Sequence, residues 1–471
     1  MPLKTILFAV GFVLVCVGAL FSPIIGMAGY VLHYHISPER HWWEAPLSSW
    51  GIRYSFILAI CLVVGFALKF RWLRYGKNFF TTHEVLVVLF LAVIWFSAII
   101  GEGAPENLSA TGEVAKSVVD PPEIKFTKVV IFLLVLTHLA TDMKSLKIFL
   151  WTLILGVLYL SWQGYWAPRS MFVTGRLEGI GGPDFADSNS FGGHLAACLP
   201  IIGVMFLRSS WKGKLVCLVT GVLAVNAIIL TRSRGVTVAI AGGMLAAVLA
   251  APKDLRKMIL VSVIVAAIGG YALTDPGFWR RAETITADER QRDASAQSRI
   301  DIWMASLRLL EDHPLGVGAG NFPGAIHGYL PQYAPKDAHN SYVLCYSELG
   351  VQGIIVYLLV IGSSVHILWR IRSKCGALPE QQRRDIALLN YGLAVSLSIL
   401  ILRGLTMSRL YTEGAWWILV LPLCLSRAVD NLKADLDASK DSEETSGTPA
   451  LRARGQRKIL QGGRQFGGRP R

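Results

Sequence analysis

The chain has 471 residues, of which 53% are hydrophobic and 17% charged, with a formal net charge of +14 and a mean hydropathy of +0.47. Soluble globular chains carry roughly 25% charged residues, so this composition excludes a soluble enzyme and, by its apolar content, disorder over most of the length. The seven cysteines exclude a disulfide scaffold, because Cys16, Cys61, Cys198, Cys217 and Cys424 lie in or at the ends of apolar runs, Cys345 opens another and Cys375 sits in a basic loop.

Apolar runs bounded by charge fall near 5–32, 53–69, 83–101, 124–141, 145–163 and 190–207, then 213–231, 235–251, 255–274, 341–369, 385–403 and 411–429. Most approach or pass the roughly 18 to 20 residues that cross a bilayer. They predict an all-α polytopic membrane bundle of about 12 helices. The first run is too long for one upright helix and contains Ser22-Pro23, which leaves twelve or thirteen spans. It also outlasts a cleavable signal peptide.

Basic residues stay preferentially on the cytoplasmic side of short loops. Alternate loops carry Arg71, Arg74 and Lys77, then Lys144 and Lys147, then Arg208, Lys212 and Lys214, then Lys253, Arg256 and Lys257, then Arg370, Arg372, Lys374, Arg383 and Arg384. These loops are assigned inside, and in the twelve-helix version both termini join them. The loop 102–123 is acidic, with Glu102, Glu106, Glu113, Asp120 and Glu123 against Lys116, and is assigned outside. Residues 1–429 are read as the transmembrane domain and 430–471 as a cytoplasmic tail. Its basic, glycine-rich end predicts a solvated, disordered segment that touches anionic lipid, with no nucleic-acid partner.

Two outside loops stand out by length, about 164–189 and about 275–340. Long loops without a domain's worth of residues are usually functional. In the second, Ser298 and Asp301 read as a capping box opening an amphipathic helix with Ile300, Trp303, Met304, Leu307 and Leu310 on one face, ended by His313-Pro314. Gly316, Gly318 and Gly320 then form a tight turn whose spacing does not fit a phosphate-cradling loop.

Four groups invite chemistry. Arg232 and Arg234 flank Ser233 in an outer turn, where i, i+2 spacing offers two guanidinium groups to one ligand; the alternatives are a lipid pyrophosphate and ordinary headgroup anchoring. His339, where the long loop re-enters the membrane, suits removal of a proton from an acceptor hydroxyl near neutral pH, or simply faces headgroups. Arg299 opens the loop helix, where a positive charge opposes the helix dipole, so an external anion is its natural partner. Arg176, Glu178, Asp184 and Asp187 in the first long loop are candidates for sugar or acceptor contacts. The two aspartates could hold a divalent cation as hard oxygen ligands, and glycine-rich turn chemistry around Gly179, Gly181, Gly182 and Pro183 explains them just as well; no metal is assigned. His138 and His194, inside apolar runs, read as packing or interhelical hydrogen-bonding residues.

The set Leu230-Thr231-Arg232-Ser233-Arg234-Gly235, Ser298-Arg299-Ile300-Asp301-Ile302-Trp303, His313-Pro314-Leu315-Gly316-Val317-Gly318 and His339-Asn340-Ser341-Tyr342 with Glu348-Leu349-Gly350 resembles the O-antigen ligase and polymerase superfamily. The resemblance covers about 160–410, and the N-terminal third carries no matching motif. Thr174-Gly175-Arg176, Gly182-Pro183, Asp187-Ser188-Asn189 and Arg281-Ala282-Glu283-Thr284-Ile285 look most like the exosortase-associated O-glycosylation ligases. The resemblance implies a multi-pass protein of the bacterial inner membrane that moves a glycan from undecaprenyl pyrophosphate to a lipid, protein or glycan acceptor on the periplasmic face. No cofactor, metal or nucleotide sugar is implied. In family terms His339 matches the base, and Arg234 and Arg299 match arginines that bind pyrophosphate, with inversion expected from a single displacement. Arg232, Arg176, Asn340 and Glu348 complete the expected substrate-binding set. The competing readings are a polymerase of lipid-linked repeats, which differs only in its acceptor, and a non-catalytic transporter, which would use the same arginines for binding; no internal repeat supports the transporter.

Overall fold

The structure is a computed structural model that describes residues 2–72, 79–101, 120–273, 294–333 and 336–446. Arg74, Lys77, the acids between 102 and 119, the segment Arg281-Ala282-Glu283-Thr284-Ile285 and the basic tail from Gly447 lie outside the described residues. The described chain is helical apart from turns and one two-stranded hairpin. The first half carries α1 (Leu3–Phe21), α2 (Pro23–Ile36), the short α3 (Ala45–Ser48), α4 (Tyr54–Lys69), α5 (Thr82–Ile100), α6 (Pro122–Leu139), α7 (Met143–Tyr165) and α8 (Ser188–Arg208). The second half carries α9 (Trp211–Thr231), α10 (Arg234–Leu249), α11 (Arg256–Leu273), α12 (Ala294–Asp312), α13 (Phe322–Tyr329), α14 (Ser341–Lys374), α15 (Glu380–Gly404) and α16 (Glu413–Ser446). Among the described residues, eight helices are long and apolar enough to cross a membrane, and α4 and α10 are shorter apolar helices. Every predicted apolar run is helical.

The first run is two helices. Pro23 has no N–H to continue the ladder, and the chain turns back at Ser22 so that Gly18 packs on Ile25 and Gly29 on Val15. This is the thirteen-span alternative, and the shared side expected of both termini in the twelve-helix version does not apply to it. Thr5 donates to the Trp43 carbonyl (2.5 Å), Phe8 packs on Tyr54, and Arg40 of the same loop donates to the Gly181 carbonyl (2.9 Å), so α1 begins at the end that holds the two long loops. The basic loops gather at the other end, where Arg208 pairs with Asp385 (2.9 Å) and Lys374 with Asp430 (2.7 Å). The predicted tail also starts later. Leu432 and Leu436 still pack on the core, and strong helix formers carry α16 through to Ser446.

A buried pair locks the basic end. Glu84 caps α5 in a capping box with Thr81, and Arg427 of α16 grips both of its carboxylate oxygens at 2.8 and 2.9 Å. The Arg427 guanidinium also donates to the carbonyls of Thr137 and Phe79 (2.9 and 2.8 Å), as a charge withdrawn from water requires. His138 joins the cluster through the Phe79 carbonyl (3.0 Å).

At the other end α14 is broken at Gly350, where φ is +69°, and the break frees backbone groups inside the bundle. The glycine turn satisfies them. Val317 donates to the Ser347 carbonyl (2.9 Å), Gly318 to the Glu348 carbonyl (3.1 Å), and Val351 to the Pro314 carbonyl (3.1 Å). Gly316, Gly318 and Gly320 all take positive φ, and a Cβ on Gly316 would collide with the Glu348 backbone. The turn thus repairs a helix break, as buried backbone demands.

The loop helix differs from its expected form. Upstream Ala294, Ala296 and Gln297 are good helix formers, so α12 begins a turn before Ser298, and Ser298 is not its cap. Asp301 instead accepts from Gln297 (2.9 Å) and from the Tyr333 hydroxyl (2.5 Å). Burial falls on Ile302, Ala305 and Leu309, while Ile300, Met304 and Leu307 are exposed, because α12 docks edge-on against α13 and α14.

Candidate functional site

The site stands at the end of the bundle opposite the basic loops and is assembled from short connections. The first long loop folds into a hairpin, β1 (Phe172–Val173) and β2 (Arg176–Leu177), with Val173 opposite Arg176. Its two-residue turn, Thr174-Gly175, has positive φ at both positions, the twist that tight hairpins need. That turn aims Arg176 back at the bundle, where its Nε donates to the Thr231 carbonyl (3.2 Å) and a terminal nitrogen to Asn189 Oδ1 (2.7 Å). The α9–α10 connection is equally tight. Arg232 ends α9 in the left-handed region, and Ser233 caps α10 by accepting from the Val236 N–H (3.3 Å) while its hydroxyl donates to the same Asn189 oxygen (2.7 Å). Arg234 is the first residue of α10.

These turns bring Arg176, Arg232 and Arg234 into one small pocket with Arg299 of α12, lined further by Asn189, Gly235 and Thr406. The four expected arginines, spread over more than a hundred residues, therefore converge. Asn189 is the hub of the arrangement, a site residue that no sequence signal singles out. Thr406 is a second such addition. It sits in the α15–α16 connection and packs its Cβ against Gly235, at 2.8 Å from where a Cβ would be.

His339 lies beside this pocket and does not line it. It is half-buried and takes φ +49°, a left-handed turn that ends the long loop and points the chain into α14. Its Nδ1 is 3.9 Å from Asp337. Burial pushes the imidazole below its ordinary value, Asp337 and Asp187 oppose that, and the positive charges of Arg299 and Arg409 add to it; the net is a lowered pKa. At neutral pH the ring is predominantly the uncharged form, able to accept a proton.

Asn340 caps α14. Its Oδ1 accepts from the N–H groups of Tyr342 and Val343 (2.9 and 3.2 Å), and its own N–H donates to the Ser408 hydroxyl (3.1 Å). Glu348 is fully buried under the glycine turn, with Tyr411 donating to Oε2 (2.6 Å) and the Phe322 N–H to Oε1 (3.4 Å). These two side chains shape the site from behind. Asp187 caps α8 through the N–H groups of Asn189 and Ser190 (both 3.0 Å) and pairs with Arg409. Burial raises its carboxyl, but Arg409, the Ser190 hydroxyl and the capping N–H groups outweigh that and hold it below the usual carboxylate range. Asp184 faces elsewhere, toward Lys125 (2.5 Å) and the Tyr34 hydroxyl (2.9 Å), so the two aspartates do not converge. Among the described residues no cluster of three His, Cys, Asp or Glu side chains has metal-holding geometry. His194 pairs with His35 across two helices, Nε2 to Nε2 at 3.1 Å.

A polar pocket walled by guanidinium groups, at the ends of the long apolar helices and beside an imidazole, is suited to an anionic group. The family model described as O-antigen ligase matches residues 219–358, a stretch that holds Arg232, Arg234, Arg299 and His339. No curated protein matches the chain. Arg176, Asn189, Asp187, Thr406 and Arg409 reach the site from outside the matched stretch.

Proposed function

We propose that this chain, whose residues 219–358 match the O-antigen ligase family model, is a membrane enzyme of the ligase or polymerase type that transfers a glycan from undecaprenyl pyrophosphate to an acceptor hydroxyl at the periplasmic face of a bacterial inner membrane. The convergence of Arg176, Arg232, Arg234 and Arg299 beside His339 carries this reading. Concentration of the basic loops at the opposite end supports the periplasmic placement.

In the proposed reaction the guanidinium groups hold the donor's pyrophosphate through bidentate, charge-assisted hydrogen bonds. His339 takes the proton of the acceptor hydroxyl as that oxygen attacks the anomeric carbon. The bond from the anomeric carbon to the pyrophosphate oxygen breaks, its electron pair leaves with the lipid pyrophosphate, and the arginines stabilise the charge that develops there. The proton then passes from His339 to solvent. A single displacement inverts the anomeric centre, and fixed arginines supply the charge stabilisation without a metal.

The acceptor is a lipid, a protein or a growing glycan. The sequence resemblance of Thr174-Gly175-Arg176 and Asp187-Ser188-Asn189, of which Arg176 and Asn189 line the pocket, is the support for an O-glycosylation ligase. Purified protein supplied with lipid-pyrophosphate-linked glycan and each acceptor class should yield one product whose mass equals acceptor plus glycan, together with released undecaprenyl pyrophosphate. Translocation of the donor without any new glycosidic bond would replace this reading with a transporter.

A further inference from the structure

Arg403 lies in the last turn of α15 and is 3% exposed. A guanidinium carries five N–H donors, and buried ones are normally matched to acceptors. Among the described residues none accepts a hydrogen bond from the Arg403 side chain; its backbone carbonyl takes the Thr406 hydroxyl (3.1 Å). Arg427, buried to the same degree at the basic end, shows the contrast, since it is matched to a carboxylate and two carbonyls.

The placement of Arg403 relates it to the arginine pocket. It crosses α8 at Gly193, where a Cβ would lie 2.6 Å from its Cδ and 2.7 Å from its Nε. Gly193 is four residues after Asn189, hence on the same face of α8 and about 6 Å further into the bundle. Thr406, three residues after Arg403, forms part of the pocket wall. Arg403 is thus below the pocket on both of the elements that frame it. The charged groups within its electrostatic reach are Arg409, a like charge, and Asp187, which is already engaged by Arg409 and by the α8 cap. Among the described residues no carboxylate forms an ion pair with Arg403.

We propose that Arg403 is the floor of a two-tier anion site: Arg176, Arg232, Arg234 and Arg299 hold one phosphoryl group, and Arg403 takes an oxygen of a second. The inference rests on the proposed use of the pocket for a lipid-linked diphosphate, and specifies that the site selects two linked phosphoryl groups over one. The same chemistry is available from a donor diphosphate and from an anionic lipid headgroup, which carries one phosphate.

The test is binding of inorganic pyrophosphate and inorganic phosphate to the full chain in detergent, by calorimetry, with competition by phosphatidylglycerol vesicles. The intact protein should prefer pyrophosphate by about ten-fold or more. Arg403→Gln should lose most of that preference with phosphate affinity within two-fold of the intact protein, Arg403→Lys should recover part of it, and Gly193→Ala, which displaces the arginine, should act like Arg403→Gln. Folded Arg403→Lys and Gly193→Ala proteins cover the case in which Arg403→Gln does not fold. An unchanged pyrophosphate preference in the folded variants, or binding displaced by phosphatidylglycerol as readily as by pyrophosphate, would overturn the inference. Because the readout is binding, a failure to form glycosidic bonds leaves it untouched and bears only on the transfer reaction.

Discussion

The backbone N–H of Asn340 donates to the hydroxyl of Ser408 at 3.1 Å, which fastens the residue next to His339 to the α15–α16 connection. The same connection accepts the Ser341 hydroxyl at the Met407 carbonyl (2.6 Å), returns the Arg409 N–H to Ser341 Oγ (3.0 Å) and sends Arg409 to Asp187. The left-handed turn at His339 is therefore held from both sides, by its own helix cap and by a segment about seventy residues later. Positions beyond the O-antigen ligase match fix the geometry of a residue inside it.

Loss of this clamp should be felt in turnover more than in donor affinity. Ser408→Ala removes one acceptor, and Asn340→Ala removes a helix cap at a cost of about 1 kcal/mol. Both variants should lower kcat several-fold to about a hundred-fold with donor binding within two-fold of the intact protein, measured by transfer kinetics alongside calorimetry. Equal losses in both quantities would show that the connection serves the donor pocket instead.

Arg234→Ala and Arg299→Ala should each weaken donor use by about 1.5 to 3 kcal/mol, roughly 10- to 150-fold, while the protein still inserts and folds. Arg→Lys at either position should restore only part of this, because a lysine cannot reproduce the bidentate fork. Donor saturation curves measure both.

The pH profile follows from the groups around His339. In the proposed role of base His339 works in its neutral form, and burial holds its pKa below the ordinary imidazole value, so the rate should hold from neutral pH down past that value and fall only as the ring protonates. Asp337 raises that pKa and Arg299 lowers it. Asp337→Asn should therefore move the acid limb to lower pH, and Arg299→Gln should move it to higher pH. Movement of both limbs in one direction would contradict the placement of the two charges.

Topology is open to cysteine labelling from outside intact cells. Cysteines introduced at Lys4 and Lys336 should label, and one at Ser373 should not, since the N-terminal hairpin puts the start of α1 at the site end. Labelling at Ser373 with protection of Lys336 would invert the whole arrangement.

At the basic end, Glu84→Gln should destabilise the bundle by about 3 to 5 kcal/mol by leaving Arg427 buried without its carboxylate, read as a lowered midpoint of thermal unfolding in detergent. Replacing both residues by apolar ones of similar size should cost less than the single change.

The spans were legible because a bilayer demands long apolar runs, and helices occupy each of them. The division of the first run at Ser22-Pro23 was only half legible: a proline signals a break, but whether the chain continues or reverses depends on packing of Gly18, Gly26 and Gly29 against neighbours not adjacent in sequence. The four arginines are legible singly, Arg232 and Arg234 by their cost near lipid, Arg299 by its opposition to the helix dipole and Arg176 by its place in a long outer loop, while their meeting depends on a hairpin turn at Thr174-Gly175 and on Asn189. Arg403 and Arg409 are not legible in the sequence, because they close one apolar run and precede the next, where positive charge passes for a boundary. The buried face of α12 is not legible in the sequence because that helix is apolar on two sides, and period alone does not say which side meets protein.

The most direct measurement of the central claim is single-turnover transfer from lipid-pyrophosphate-linked glycan by the intact protein and by His339→Ala, with donor binding measured on the same samples. Loss of a general base removes stabilisation of the transition state rather than of the bound donor, so the variant should bind donor within about two-fold of the intact protein and form the new glycosidic bond at least about a hundred-fold more slowly. Full-rate transfer by His339→Ala with an unshifted pH profile would contradict the assignment of His339 as the base.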